Sequence, residues 1–304
     1  MPQLCGKIVG PVGFGRMGLT WRTKPCSQEQ AFEASAPRSE MATADNFWNG
    51  TEFYGTTEYK SLVLVERYLQ KYPEDADKIF LSIKGSVSPV THETDGSVKN
   101  TRRSIDDSLS QLNGRARIDL FGFGRRNPKV PLGVTFGTIE KEVVRAERIH
   151  EAVKYTKVLE NGVAAACAQY GIPLIAYSPI GREISTGQIT KFEDLPEDSM
   201  MRHFPRFQPR NFEINTQLVK QVKEMAAKKG CIAAQLAINW VRTSSKRPGI
   251  PTIIPIPGAT TAERVEENSK LVSLTDEEMA QIDATLAKFT PTGARYLNSI
   301  PMDT

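Results

Sequence analysis

The chain has 304 residues, 39% of them hydrophobic and 24% charged, so it can bury a large core and is neither disordered nor fibrous. Its 39 basic and 35 acidic side chains give a net charge of only +4, with no dense block of Lys and Arg interleaved with aromatic residues. Nucleic acid is therefore not expected as a partner.

The sequence also lacks the patterns of membrane proteins and metal proteins. It contains no stretch of about 18 apolar residues, and no basic region followed by an apolar run at its start. Its four cysteines and three histidines are scattered, without the short paired spacing of zinc sites or disulfide frameworks. We expect a cytosolic protein with reduced thiols, no metal site and no membrane partner, and the oligomeric state stays open.

Short β-branched or apolar runs alternate with longer segments of helical period, as in βα units around a parallel sheet. The predicted strands lie near 9–13, 46–49, 79–84, 118–123, 173–178 and 252–256. They number about six, against the eight of a closed (β/α)8 barrel. No repeat or low-complexity linker divides the chain, so residues 1–304 are expected to form one domain.

The first predicted strand leads into a Gly-x-Gly-x-x-Gly sequence at 13–18, the spacing of a dinucleotide-binding loop. A Rossmann fold would place a helix directly after it, whereas residues 19–25 are typical of a loop. This context argues against a Rossmann fold. Further on, Pro37 interrupts a helical pattern, so the first helix should end early or kink.

Tyr54 and Lys84 each lie at the end of a predicted buried strand. A phenol with a pKa near 10 is a poor proton donor at neutral pH unless a neighbouring cation stabilises its phenolate. A Tyr/Lys pair is therefore a suitable acid for carbonyl reduction. The alternative is a half-buried tyrosine at a strand end and an unrelated solvated lysine.

From 138 to 170 the sequence has a nearly continuous helical period with no intervening strand, although a barrel needs one there. The later helices are clearer, and they are predicted at 215–229, 232–241, 261–268 and after Thr275.

Two turns could bind an anion. The strand at 173–178 runs into a Gly-containing turn, where an anion could sit. The turn at 256–261 leads into a helix on which Arg264 and Asn268 share a face. Arg264 could pair with a phosphate, or be a solvated arginine beside an acidic cluster.

Six motifs follow one another along the chain. They are Gly-x-Gly-x-Met-Gly at 13–18, Asn-Phe-Trp-Asn-x-x-x-x-Tyr-Gly at 46–55, a strand ending in Lys84, Ile-Asp-Leu-Phe at 118–121, Ala-Tyr-Ser-Pro-x-Gly-Arg at 176–182 and Ile-Pro-Gly-x-Thr-Thr-x-x-Arg-x-x-x-Asn at 256–268. This order resembles the aldo-keto reductases. Residues 48–55, and Arg125 followed by Pro-Lys-Val-Pro at 128–131, are most similar to their fungal pyridoxal reductase branch.

The resemblance implies a TIM (β/α)8-type barrel, incomplete or distorted here, that uses NADP(H) to reduce a small aldehyde such as pyridoxal. It implies that Tyr54 gives the proton, with Lys84 and Asn49 as its catalytic partners. The cofactor-binding residues that it implies are Met17, Tyr177, Ser178, Gly181, Arg182, Gly258, Thr260, Thr261, Arg264, Glu267 and Asn268. Trp21, Phe53, Phe123 and Arg125 could form the substrate pocket, although each could also have a packing role.

This chain departs from the family in several places. Asn49 replaces the usual Asp, Gly124 aligns with the usual active-site His, and Thr260 replaces a basic residue found in many relatives. Residues 147–153 are similar to the helix after the fifth strand, and residues 158–162 to the helix after the sixth. Both strands are therefore expected to be missing, with the gap between about Arg145 and Val158. The gap leaves two alternatives to an enzyme open, namely a catalytically impaired barrel that senses NADPH and a truncated product with neither role.

Overall fold

The structure is a computed structural model that describes residues 1–36, 46–88, 93, 95–123, 150–151, 163–169, 171–180, 189, 191–195, 197 and 199–294. Its strands are β1 (Gln3–Leu4), β2 (Lys7–Ile8), β3 (Phe14–Gly15), β4 (Phe47–Thr51), β5 (Phe80–Gly85), β6 (Leu120–Phe123), β7 (His150–Glu151), β8 (Leu174–Tyr177) and β9 (Ile253–Ile256). Its α-helices are α1 (Met17–Thr20), α2 (Gln28–Ser35), α3 (Ser61–Lys71), α4 (Val98–Leu112), α5 (Val163–Gln169), α6 (Pro209–Lys229), α7 (Ala233–Thr243), α8 (Ala262–Ser269) and α9 (Asp276–Ala287).

The strands from β3 onward form parallel sheets, as expected for βα units. Strands β3 to β7 pair in chain order in one sheet, and β8 pairs with β9 in another. The two sheets meet where Gly15 bridges Gly258, and the Gly13 and Gly15 amides donate to the carbonyls of Pro255 and Pro257, each at 2.9 Å. Among the described residues, β7 and β8 do not pair with each other.

Two sequence predictions about strands are wrong. The segment 138–170, predicted to contain no strand, contributes β7, in which His150 lies opposite Leu120 and Glu151 opposite Phe121. A two-residue strand is too short to show an alternating pattern, and residues similar to a helix surround it. The first strand of the parallel sheet is Phe14–Gly15 rather than 9–13.

Among the helices, one departs from its sequence prediction and several agree with theirs. A short helix, α1, follows β3 where a loop was predicted, which is a further correction. Helix α2 ends at Ser35, before Pro37, as the position of that proline predicted. Thr261 and Thr275 cap α8 and α9, since their hydroxyls accept the amides of Arg264 and Glu278.

Alternation along the strands separates an inner from an outer core. Phe47 and Phe80 stack inside the barrel with ring centroids 5.2 Å apart, above a floor that includes Leu4 from the N-terminal hairpin. Trp48 and Leu81 face the opposite way, into the layer between the sheet and the helices. Asn49, Ser82 and Lys84 follow Phe47 and Phe80 at even spacing, so they lie on the inner face above the apolar floor.

Arg16 is the largest charged side chain buried in the described structure, with 0% exposure. Its guanidinium donates to Ser35 Oγ at 2.7 Å and lies 4.3 Å from the Trp48 ring centroid. The Nε and one terminal nitrogen have no hydrogen-bond partner. Burial lowers the pKa of Arg16 to about 9. Among the residues that the structure describes, no carboxylate lies within hydrogen-bonding reach of this buried cation.

Candidate active site

Tyr54 and Lys84 meet at the carboxyl end of the central strands. Lys84 is on β5, where it lies opposite Thr51 of β4, and Tyr54 follows β4 by three residues. Lys84 Nζ donates to Tyr54 Oη at 2.6 Å and lies 4.5 Å from the centroid of the tyrosine ring. Each residue is 8% exposed. The pair predicted from the sequence is thus brought together as a buried hydrogen-bonded ammonium and phenol.

The backbone around Tyr54 is tied to two helix starts. The Tyr54 carbonyl accepts from the Ser61 amide at 2.9 Å and from Thr20 Oγ1 at 3.0 Å. Ser61 begins α3 and Thr20 ends α1, so both flanking elements fix the turn. Because this carbonyl has two donors, the ring is presented from a rigid turn rather than from a free loop.

Asn49 lies close to the pair but bonds elsewhere. Its Nδ2 donates to the carbonyl of Ser82 at 3.2 Å and to Ser82 Oγ at 3.0 Å. Its Oδ1 is buried and has no partner. Asn49 therefore lies on the inner face opposite Ser82, which precedes Lys84 by two residues on β5. Its acceptor oxygen is unpartnered, which is rare for a buried polar atom.

Three aromatic rings form one wall of the site. Trp21 lies 4.7 Å from Tyr54 and 5.7 Å from Phe53, and Phe53 lies 5.2 Å from Tyr54 between ring centroids. Trp21 is 41% exposed, so this wall opens to solvent. Phe123 instead packs against the outer core between sheet and helices, and Arg125 lies outside the described residues.

The predicted cofactor-binding residues between Gly258 and Asn268 lie on α8 and on the turn before it. Thr261 caps the helix, and Asn268 Nδ2 donates to the Gly258 carbonyl at 3.4 Å. Arg264 forms an ion pair with Glu267 one turn later, and the two side chains are about a third exposed. The Thr260 carbonyl accepts from Gln30 Nε2 of α2 at 2.9 Å, which ties this turn to the first half of the barrel.

The other predicted cofactor residues are spread around the same edge of the sheet. Tyr177 is the last residue of β8 and packs, half-buried, against the inner core. Ser178 follows it with φ +52°, a left-handed conformation that is unusual for a residue other than glycine. Met17 begins α1 and is 40% exposed. Gly181 and Arg182 lie outside the described residues.

Sequence reasoning missed a buried ion pair beside Tyr54. Glu52, two residues earlier, is 3% exposed, and Arg103 of α4 approaches its two carboxylate oxygens at 2.9 and 3.2 Å. Ser104 Oγ also donates to it, at 2.5 Å. Burial raises the pKa of Glu52, and the hydrogen bonds from Arg103 and Ser104 oppose that rise. Glu52 lies within the motif at 48–55, but its partners are some 50 residues away along the chain.

Two negative findings concern the described part of the chain. It contains no group of three His, Cys, Asp or Glu residues that could hold a metal ion. Its helices are too short or too polar to cross a membrane.

The family model of the aldo/keto reductase family matches residues 11–155 and 147–287. This match covers most of the chain, so the chain belongs to the aldo/keto reductase family. Its members are oxidoreductases that act on small carbonyl compounds and generally use NAD(P)H. The sequence-based expectation of this family is confirmed.

Among curated proteins, this chain is similar to two fungal relatives described as pyridoxal reductases. It is 32% identical to the "probable pyridoxal reductase 2" of Schizosaccharomyces pombe, with 97% of each chain covered. It is 29% identical to the "putative pyridoxal reductase" of Saccharomyces cerevisiae, with 93% of this chain and 95% of that protein covered.

Two solved structures share the fold. The glycerol dehydrogenase of Gluconobacter oxydans superimposes with a TM-score of 0.73 at 19% identity, covering 94% of both chains. A thermostable aldo-keto reductase in complex with the inhibitor epalrestat gives a TM-score of 0.63 at 18% identity, covering 92% of this chain and 97% of that one. These neighbours support the α/β TIM-barrel fold expected from the sequence.

The comparisons also bear on the predicted gap. The two family matches overlap at 147–155, inside the interval 145–158 where the sequence predicts missing strands. The alignments with the two fungal relatives run over 329 and 332 residues and are longer than this 304-residue chain. Each alignment therefore includes positions without a counterpart here, which supports an internal deletion.

Proposed function

We propose that this protein reduces an aldehyde to an alcohol with NADPH, with pyridoxal as substrate and Tyr54 as the proton donor. The observation that carries the proposal is the buried 2.6 Å hydrogen bond between Lys84 Nζ and Tyr54 Oη. The names of the two fungal relatives favour pyridoxal, a form of vitamin B6, over other aldehydes.

The residues present fit a nicotinamide cofactor at both ends of the site. Near the Tyr/Lys pair, the unpartnered Oδ1 of Asn49 fits a hydroxyl or amide donor. At the other end, the start of α8 and Arg264, which is about a third exposed, fit an anionic group such as a phosphate. When bound, NADPH would supply the hydride for the reduction.

The chain's own groups complete the reaction. Tyr54 Oη gives its proton to the carbonyl oxygen as that oxygen gains negative charge. The Lys84 ammonium stabilises the phenolate that remains, and both groups lie where solvent screens them little, which strengthens this interaction. Trp21 and Phe53 offer ring faces against which a flat pyridine ring could stack.

Replacing Tyr54 with phenylalanine tests this proposal. The variant should lose pyridoxal reduction, followed by NADPH absorbance, while its affinity for NADPH, followed by fluorescence, stays within about threefold. Tyr59→Phe is the matched control because Tyr59 Oη is buried without a partner, and it should keep wild-type turnover. Unchanged turnover in Tyr54→Phe would show that another group is the acid.

A second candidate function, NADPH sensing without turnover, is favoured by the alignments with the two fungal relatives, which include positions without a counterpart in this chain. The same titration separates the two. NADPH binding without reduction of any aldehyde would leave only the sensor, whereas no binding at all would end both hypotheses.

A further inference from the structure

One arginine of α4 reaches both turns that carry the Tyr/Lys pair. Arg103 pairs with Glu52, two residues before Tyr54, and it also donates to the carbonyl of Val87, three residues after Lys84, at 3.2 Å. A single planar guanidinium thus connects the end of β4 to the end of β5. Because the donors of a guanidinium are fixed in one plane, the connection also restricts the relative orientation of the two turns.

Ser104, the next residue of α4, ties the same two turns. It accepts the Ser86 amide at 2.8 Å and donates to Glu52 at 2.5 Å. Ser86 has φ +59° and donates through Oγ to Thr101 Oγ1 at 3.3 Å. A left-handed conformation is strained for serine, so the contacts with α4 must hold it in place.

The close approach of α4 depends on Gly85, between Lys84 and Ser86. A Cβ added there would lie 2.1 Å from Ser104 Oγ and 2.5 Å from the Phe121 ring. Strand β5 therefore ends in Gly85, which has no side chain, at the point where the Ser104 hydroxyl of α4 contacts the backbone. Such contact leaves the turn after Lys84 little freedom to move.

We propose that Thr101, Arg103 and Ser104 form a clamp, the α4 clamp, that positions Tyr54 against Lys84 for proton transfer. This inference rests on the proposed function, since it assigns the clamp to the reaction of that pair. None of the three residues touches the pair itself, so they are positioning residues. Their role is to hold the two turns in register so that the phenol and the ammonium stay in contact.

The energetic reason is the sensitivity of proton transfer to geometry. A misplacement of about 1 Å can cost a factor of about 100 in rate, even when it originates away from the reacting atoms. Glu52 is buried, and its bonds from Arg103 and Ser104 are little screened by solvent. Asp107, the other carboxylate bound to Arg103, is 52% exposed and should contribute little.

The test compares Arg103→Met with two control variants. Asp107→Asn removes the exposed partner of the same arginine, and Arg115→Met removes an exposed arginine bonded to Glu66 at 2.7 Å. Arg103→Met should lower kcat for aldehyde reduction about 10- to 100-fold while the NADPH Kd stays within about threefold. Both controls should stay within about twofold of wild type.

Two further measurements separate positioning from a loss of folded protein. With NADPH deuterated at the transferred position, the isotope effect on kcat should rise in Arg103→Met because the chemical step slows; fewer active molecules would leave it unchanged. Arg103→Lys keeps one donor and should recover part of the lost rate. If Arg103→Met does not fold, Ser104→Ala removes a clamp contact without burying an unpaired charge, and the same effects are expected of it.

Hydrogen exchange tests the clamp without relying on activity. Amides of residues 50–60 and 84–88 should both exchange faster in Arg103→Met, and neither segment should change in Arg115→Met. If the wild type reduces no aldehyde, the proposed function fails while this exchange pattern still decides whether the clamp exists. The inference would be overturned if a folded Arg103→Met, or Ser104→Ala in its place, kept the wild-type kcat, isotope effect and exchange rates.

Discussion

Replacing Arg16 with methionine should make this protein more stable, although it removes a hydrogen bond and a cation–π contact. The guanidinium is fully buried, and burial lowers its pKa to about 9. At about 1.4 kcal/mol for each pH unit, holding the charge there costs about 4–5 kcal/mol. A carboxylate would normally offset such a cost, and the described structure places none within hydrogen-bonding distance.

Two contacts recover part of this cost. The position of Arg16 over the Trp48 ring is worth about 2 kcal/mol in a desolvated setting, and the bond to Ser35 about 1–2 kcal/mol. A methionine of similar length would bury apolar surface worth about 1–2 kcal/mol more. The free energy of unfolding should therefore increase by about 2 kcal/mol in Arg16→Met, which corresponds to a rise in Tm of about 3–6 °C.

Thermal unfolding followed by circular dichroism measures this gain, and its pH dependence tests its cause. Because the folded pKa of Arg16 lies below the unfolded value, the penalty is fully present below about pH 9 and declines as the pH rises. The difference in Tm between variant and wild type should therefore be constant between about pH 6 and 8 and smaller near pH 10.

Arg247→Met is the matched control. Arg247 also lies over a tryptophan, Trp240, at 5.6 Å, but it pairs with Asp283 at 2.8 Å and is half-buried. Its removal should leave Tm unchanged or lower it slightly. An unchanged or lower Tm for Arg16→Met would show that the charge of the buried guanidinium is compensated and would refute the reasoning.

Three further predictions concern the site and the fold. Lys84→Met should lower kcat by about 100-fold or more with little change in NADPH Kd, measured as for Tyr54→Phe, because the phenolate loses its cation; a small loss would show that the ammonium is dispensable. Arg264→Met should raise the Kd for NADPH about tenfold and leave that for NADH within about twofold, by fluorescence titration; equal effects on both would argue against a phosphate contact. Thr275→Ala should destabilise the protein by about 1 kcal/mol in urea unfolding because α9 loses its N-cap, whereas Thr285→Ala, inside the same helix, should not.

The meeting of Tyr54 and Lys84 was predictable because each follows a strand with a clear apolar pattern. The carboxyl ends of parallel strands lie at one edge, so the two side chains needed only correct strand assignments to meet. The capping threonines, Thr261 and Thr275, were predictable for a related reason, since a cap acts within three residues of its own position. Local signals of this kind do not depend on how distant segments fold together.

What could not be predicted depends on distant segments. Arg103 reaches Glu52 from 51 residues away, and nothing in the local pattern of either residue indicates the pairing. Asn49 was expected to be a catalytic partner of Tyr54, and that role stays a prediction. Its bonds to Ser82 could not be predicted, because they depend on the register of β4 and β5, which aligns these two residues as direct neighbours. Strand β7 was missed because its two residues owe their extended conformation to pairing with β6 rather than to their own sequence.

The bridge between Gly15 and Gly258 joins two parts of the chain that have different proposed roles. The proposed proton donor and the proposed α4 clamp lie within the first 112 residues, whereas the residues proposed to bind the phosphate begin at residue 258. A side chain at position 15 would approach the Ile256 carbonyl to 2.7 Å and force the backbones apart. A substitution there would alter neither proposed group directly, but it would separate the proposed proton donor from the residues proposed to hold the cofactor phosphate.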